Sequence, residues 1–148
     1  MEIARFSERF VRDAPDAIIY ADAQGLIQFW NRSAERIFGF SEAEALGKTL
    51  DIIIPESLRG RHWQGYRATM QTGNTRYGVG ETLAVPAMRK DRQRISIEFT
   101  ILPFRDDAGR MVGIAAILRD VTARFEETRA LRRQLAQGST PPPAPAAG

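Results

Sequence analysis

The sequence has no cysteine, a single histidine and no apolar run long enough to cross a bilayer. Without cysteine there are no disulfides, no zinc–thiolate centres and no cysteine nucleophile, and a cytoplasmic location is expected. The lone histidine gives no basis for a Ser/His/Asp triad, and neither a P-loop nor a Gly-rich dinucleotide fingerprint is present. Residues 1–12 mix Glu and Arg with isolated apolar residues, which matches neither a signal peptide nor an acid-free transit peptide. Charge of one sign is scarce too: 21 basic residues face 18 acidic ones, a formal net charge of +3. With no recognisable nucleic-acid reader beside it, that balance predicts no direct nucleic-acid binding and no membrane association. Internal repeats are absent. What remains, 148 residues of which 43% are hydrophobic, suits one globular domain with a real core.

The rest of the chain is organised around residues 16–48. Ala17 to Ala21 is apolar and β-branched in its middle, Asp22-Ala23-Gln24-Gly25 carries turn chemistry, and Leu26 to Trp30 resumes strand composition, which predicts a hairpin. Asn31 is placed to cap a short helix whose apolar members Ala34, Ile37 and Phe38 share one face before Gly39 ends it. Ser41-Glu42-Ala43-Glu44 then has capping-box spacing, with Ala45 and Leu46 inside a second helix and Gly47 stopping it.

These residues resemble the opening half of a PAS (S-box) sensory domain: the PDAI entry at residues 15–18, the turn DAQGLI, the block WNRSAERIFGFS, and EALGK. Later pieces agree in order, namely MRKD at 88–91, GIAAILRDVT at 113–122 in the PAC motif region, and the helical ARFEETRALRRQL, so the resemblance spans residues 6–135. It implies an α+β PAS fold, with a five-stranded antiparallel sheet in the order 2-1-5-4-3, short helices on one face, and flanking N- and C-terminal helices. The expected divisions are a flanking helix at 1–13, the PAS domain at 14–121, a signalling helix at 122–137 and a disordered Pro/Ala-rich tail at 138–148.

Taken in order, Ile3, Phe6, Phe10 and Val11 fall at helical spacings, and their stripe has either the domain's own sheet or a second subunit to pack on. Ile52-Ile53-Ile54-Pro55 is too short for a helix and reads as a connector into the core. Residues 56–72 predict a helix with Leu58, His62, Tyr66 and Thr69 in one stripe and Gly73 as its stop; by the resemblance this helix covers the ligand pocket. Strands are expected at 80–88, 94–104 and 111–121, joined by Lys90-Asp91-Arg92-Gln93 and by Asp106-Asp107-Ala108-Gly109. Where the family usually has Asp-Gly this chain has Asp91-Arg92, so a different turn type is expected there. Val121, Phe125, Thr128, Leu131 and Leu135 approach a coiled-coil seam of barely two heptads.

His62, in RGRHWQGY, resembles the proximal iron ligand of oxygen-sensing haem PAS kinases, and neutral imidazole is a normal haem donor. The alternative is a packing or surface histidine, as in PAS domains without haem. The strand where such sensors place a gas-contacting arginine reads GETLAV here, with Glu81 and Thr82. Flavin photochemistry and cinnamoyl-type chromophores are set aside for want of a cysteine. For a small organic ligand the candidate lining is Ile19, Phe29, Ile37, Ile53, Tyr66, Leu83, Phe99 and Ile117; a solid core is the alternative. Asp120 and Thr122 of RDVT resemble the pair that ties the last strand to the outgoing helix, chemistry suited to capping. The basic residues Arg89, Lys90, Arg92 and Arg94, and Arg129, Arg132 and Arg133, read as solvated faces.

The function implied is a non-catalytic module for signal transduction and regulation of transcription. It senses a small ligand, with haem at His62 one version, or a partner, and relays through its C-terminal helix. A homodimer through the flanking helices is expected, with docking of a separate output protein as the alternative occupant. The other reading is a ligand-free interaction scaffold. No room is left beside this domain for a kinase or cyclase.

Overall fold

The computed structural model of the protein describes residues 1–74 and 82–138. Along the chain run α1 (Ile3–Asp13), β1 (Ala17–Asp22), β2 (Ile27–Trp30), α2 (Arg32–Phe38), α3 (Glu42–Ala45), a 3-10 turn over Leu50–Ile53, α4 (Glu56–Thr72), β3 (Leu83–Met88), β4 (Arg94–Arg105), β5 (Met111–Asp120) and α5 (Thr122–Gly138). The five strands form one antiparallel sheet in the order β2-β1-β5-β4-β3, as the resemblance implied. The start expected for the third strand at residues 80–81, and the tail from residue 139, lie outside the described residues.

Local chemistry accounts for the short helices. Asn31 Oδ1 accepts from the Ala34 amide at 3.0 Å, and Gly39, in the left-handed conformation at φ 82°, closes α2. The capping box of α3 is complete, with Glu44 N–H donating to Ser41 Oγ at 3.1 Å and Ser41 N–H donating to Glu44 Oε1 at 3.0 Å. Leu46 lies one residue past this helix, as its C-cap, rather than within it.

The β1–β2 hairpin carries a bulge. Tyr20 pairs with Phe29 while Ala21 pairs with Ile27, so Gln28 is the extra residue, and its amide is held on Asp22 Oδ2 at 2.9 Å. The inserted residue shifts the alternation by one, so Ile27 and Trp30 both reach the core, 0% and 1% exposed. They join Ala17, Ile19, Ile95, Ile97 and Leu118 from the sheet, Ala34, Ile37 and Phe38 from α2, Ala45 and Ile53. A second cluster beneath α4 contains Ala21, Tyr66 and Ile114, with Trp63, Met70 and Ile101 against it.

The turn between β3 and β4 departs from the sequence-based expectation of a different type. Arg92 takes φ 67°, the left-handed conformation a glycine adopts without strain, and its N–H donates to Arg89 O at 2.9 Å. The backbone path is that of a glycine-bearing turn, at a cost that arginine bears.

Candidate functional site

Helix α4 is bound to the hairpin and to the β4–β5 turn by polar bonds. Tyr66 is buried, and its hydroxyl donates to Asp22 O at 2.6 Å and approaches Ala21 O at 3.3 Å; burial raises its pKa above the ordinary phenol range. Trp63 Nε1 donates to Asp51 Oδ1 at 2.7 Å, and its ring lies so close over Gly25 (φ 80°) that a Cβ there would collide with it. At the far end Gly73 caps α4 at φ 71°, and Arg105 donates to Gly73 O and to Gly109 O, both at 3.0 Å. A Cβ at Gly73 would meet that guanidinium.

His62 sits between these ties, its ring 4.8 Å from that of Trp63 and 5.8 Å from that of Tyr66. Nδ1 is buried and has no hydrogen-bond partner among the described residues. Burial pushes its pKa below the ordinary imidazole value, and the Asp51 carboxylate opposes this only in part. The side chain is therefore a neutral imidazole with an orphaned nitrogen, the arrangement in which a buried polar atom costs stability unless something pairs with it.

The described residues meet part of what haem requires. A neutral imidazole is the right donor. The space behind α4, however, is packed: Ile53 and Leu118 are buried in the main cluster and Phe99 lies against it. Two open clefts border α4 among the described residues. One, of about 450 Å³, is lined by Gln24, Asp51, Trp63, Tyr66 and Arg67 among others; the second, of about 390 Å³, lies between Met70–Gly73 and Arg105–Met111. Neither includes His62. A ring nitrogen paired to an acceptor, which would orient a ligating imidazole, is also missing at Nδ1. The donor fits haem and the surrounding packing, as it stands, does not.

The other candidate lining residues divide by sheet face. Ile19, Ile37 and Ile53 are buried; Leu83 pairs with Phe99 across the β3–β4 ladder, both half-buried. Ile117 must be corrected: it lies on the opposite face, 49% exposed, and Leu118, 4% exposed, takes the inward place. Phe29 is carried to the outer face by the Gln28 bulge, opposite Tyr20. There Tyr20 meets Phe104 edge-on at 5.4 Å, and Leu102, Phe104 and Ile117 leave an apolar surface open. Glu81 lies outside the described residues, and Thr82 is exposed.

The junction of β5 and α5 is a bonded knot. Asp120 Oδ1 accepts from Thr122 N–H at 2.9 Å and from the Thr122 hydroxyl at 2.5 Å, while Thr122 Oγ1 accepts from Ser96 N–H at 2.9 Å. Val121 N–H donates to Ser96 O at 2.9 Å. Asp120 thus caps the helix start, and Thr122 ties it to β4. Beyond the knot α5 buries nothing, with Phe125, Leu131 and Leu135 exposed; α1 likewise leaves Ile3, Phe6 and Phe10 open. The α1 stripe does not lie on the domain's own sheet. Among the basic residues, Arg89 is bonded to Ile37 O at 2.6 Å and Lys90 to Glu44 at 2.5 Å.

Sequence reasoning missed Trp63, Arg105 and the pairing of Arg119 with Asp16, whose Nε–Oδ1 and Nη2–Oδ2 distances are 3.1 and 3.0 Å. For Trp63 a signal existed, since it stands three residues before Tyr66 on the inward side of α4; the arginine ties span the fold and had none.

Comparison with known proteins agrees with this geometry. The chain is 31% identical over 121 residues to the sensor protein FixL of Bradyrhizobium diazoefficiens, covering 82% of this chain and 23% of that protein. It is 29% identical over 108 residues to the oxygen sensor protein DosP of Escherichia coli K12, covering 71% of this chain and 13% of DosP. The chain thus spans less than a quarter of the length of these curated relatives. Among solved structures, the PAS domain of a Colwellia psychrerythraea protein superposes with a TM-score of 0.72 at 23% identity, covering 82% of this chain and 99% of that one, a likeness of fold. No helix among the described residues is long and apolar enough to cross a membrane. The family model for the PAS fold matches residues 11–126, most of the chain, and with the strand order above it establishes that this protein belongs to the PAS family.

Proposed function

We propose that the chain is a sensory PAS module, without catalysis of its own, whose state is read at the root of α5. The observation that carries this is the knot of Asp120, Thr122 and Ser96, which bonds the first turn of α5 to β4 while the helix itself buries no residue. Small changes in β4 or β5 then become changes in the order or direction of a helix that is marginal alone. The exposed stripes of α1 and α5, with the open outer sheet face, support a symmetric pair as the working assembly. Asp120→Ala tests the readout: amides 122–126 should exchange faster, with a stability loss of about 1 kcal/mol. Unchanged exchange and melting would overturn it. Sedimentation at tens of micromolar tests the pair, which Phe10→Glu or Leu131→Glu should weaken; a monomer indifferent to both excludes it.

Haem at His62 is a second reading, favoured by the neutral imidazole and by likeness to a protein named as an oxygen sensor. Absorption spectra of protein made with haem precursor decide it. A Soret band lost in His62→Ala supports haem; its absence, with no small molecule in native mass spectra, favours the ligand-free scaffold.

A further inference from the structure

The backbone ladder between β1 and β5 ends at the pair Ala17–Leu118. One residue further the tie is continued by side chains, with the Arg119 guanidinium gripping the Asp16 carboxylate in two parallel bonds of 3.1 and 3.0 Å. Each of these residues borders a flanking helix. Asp16 closes the link from α1, and the carbonyls of that link are all held by α2 or its cap. Asn31 Nδ2 donates to Val11 O at 2.9 Å and to Asp16 O at 3.1 Å, Ser33 Oγ donates to Ala14 O at 2.5 Å, and Arg36 donates to Pro15 O at 2.9 Å. Arg119 is followed at once by the Asp120–Thr122 knot. A continuous polar path therefore runs from the last turn of α1 through Asn31, Asp16, Arg119 and Asp120 to the first turn of α5. None of the bonds named along it involves His62 or α4.

We infer that the domain accepts a mechanical input at the root of α1 and passes it to the root of α5 through the Asp16–Arg119 pair, bypassing the space behind α4. The proposal rests on the α5 readout above and adds the port by which a signal enters. Three features support it. The pair is exposed, with side chains 64% and 29% accessible, and such pairs add little to stability. Its two-pronged geometry instead fixes orientation, which a point-charge contact would not. Asp16 also holds the Arg119 guanidinium above its usual pKa, so the arginine keeps its charge. Finally, α1 buries no residue and α5 buries none, so a partner seated on the α1 stripe would pull on its root rather than on a packed core. The two-state element that a coupling claim requires is the first turn of α5, ordered or frayed.

Hydrogen exchange on the full chain tests this. Ser33→Ala frees the Ala14 carbonyl and serves as the disturbance at the α1 end, far from α5 in the sequence. With the ion pair intact, amides 122–126 should exchange about two- to fivefold faster, the range one exposed pair can transmit. In Arg119→Gln, Ser33→Ala should have no further effect on those amides, and the reversed pair Asp16→Arg with Arg119→Asp should restore the response. Amides 122–126 indifferent to Ser33→Ala, or a response undiminished in Arg119→Gln, would overturn the input route while leaving the readout standing. Asp120→Ala is run beside them; if it too leaves those amides unchanged, the readout fails and the proposal with it.

Discussion

Asn31 is the side chain whose replacement tests most of this account. It is fully buried, yet all four of its polar valences are used: Oδ1 accepts from Ile18 N–H and Ala34 N–H, both at 3.0 Å, and Nδ2 donates to Val11 O and Asp16 O. One amide thus joins α1, β1 and α2. In Asn31→Ala the cap of α2 is lost, worth about 1 kcal/mol. The amide of Ile18 and the carbonyls of Val11 and Asp16 lose their partner as well, at about 1–3 kcal/mol for each group that water does not reach. Since the link is half-buried, a total of about 3 kcal/mol is expected, a large share of the roughly 5–15 kcal/mol of a typical domain. That corresponds to a fall in Tm of about 10 °C for a chain of this size. Urea unfolding at an unchanged m value would measure it.

Asn31→Asp separates a cap from a junction. Aspartate caps helices as well as asparagine, so if capping were the whole role this variant would be as stable as the parent. If the two donated bonds matter, an oxygen now faces two carbonyl oxygens, and Asn31→Asp should lose at least as much as Asn31→Ala. A neutral Asn31→Asp together with a loss near 1 kcal/mol in Asn31→Ala would refute the reasoning.

Other expectations follow from single residues. The pKa of His62 is depressed by burial from 6.5, so the unfolded chain takes up the proton first; stability is full above that value and falls as the pH drops through it. Melting curves at about pH 7 and about pH 5 should therefore differ more for the parent than for His62→Phe. Arg92→Gly should raise the urea midpoint by the equivalent of about 0.5–1 kcal/mol, because relief of the left-handed arginine exceeds the entropy cost of glycine. Leu118→Ala should cost about 2–5 kcal/mol and Ile117→Ala clearly less; the reverse ranking would mean that the phase of β5 is inverted.

The elements legible in the sequence are those whose cause is local. As caps, Asn31, Ser41, Gly39 and Gly73 act within a turn of their own position, and each does in the fold what its chemistry predicts; the long-range bonds of Asn31 had no such local signal. The faces of the strands were harder to read. Residues 114–118, Ile-Ala-Ala-Ile-Leu, are apolar on both sides, so alternation carries no phase, and Ile117 was assigned inward when Leu118 is the buried one. For Phe29 the alternation was misleading, since Gln28 is polar and looks like an ordinary outward residue. A bulge declares itself only when the partner strand is known.

That misassignment bears on function. Ile117 and Phe29, once moved to the outer face, join Leu102 and Phe104 on a surface that the domain's own elements leave open, and the number of apolar residues available to wall a ligand falls by the same two. The sheet is therefore apolar on the face that hosts the packed core and apolar again on the face that meets solvent. The first follows from burial, whereas the second leaves apolar area facing water, the kind of surface that the proposed pairing of two copies would cover. The roots of α1 and α5 meet at the Asp16–Arg119 pair. A second copy seated on the α1 stripe would therefore act directly on the residues that hold the start of α5. In the proposed assembly, pairing and readout share one end of the sheet, so a variant that weakens the pair of subunits, such as Phe10→Glu, should also alter exchange at amides 122–126.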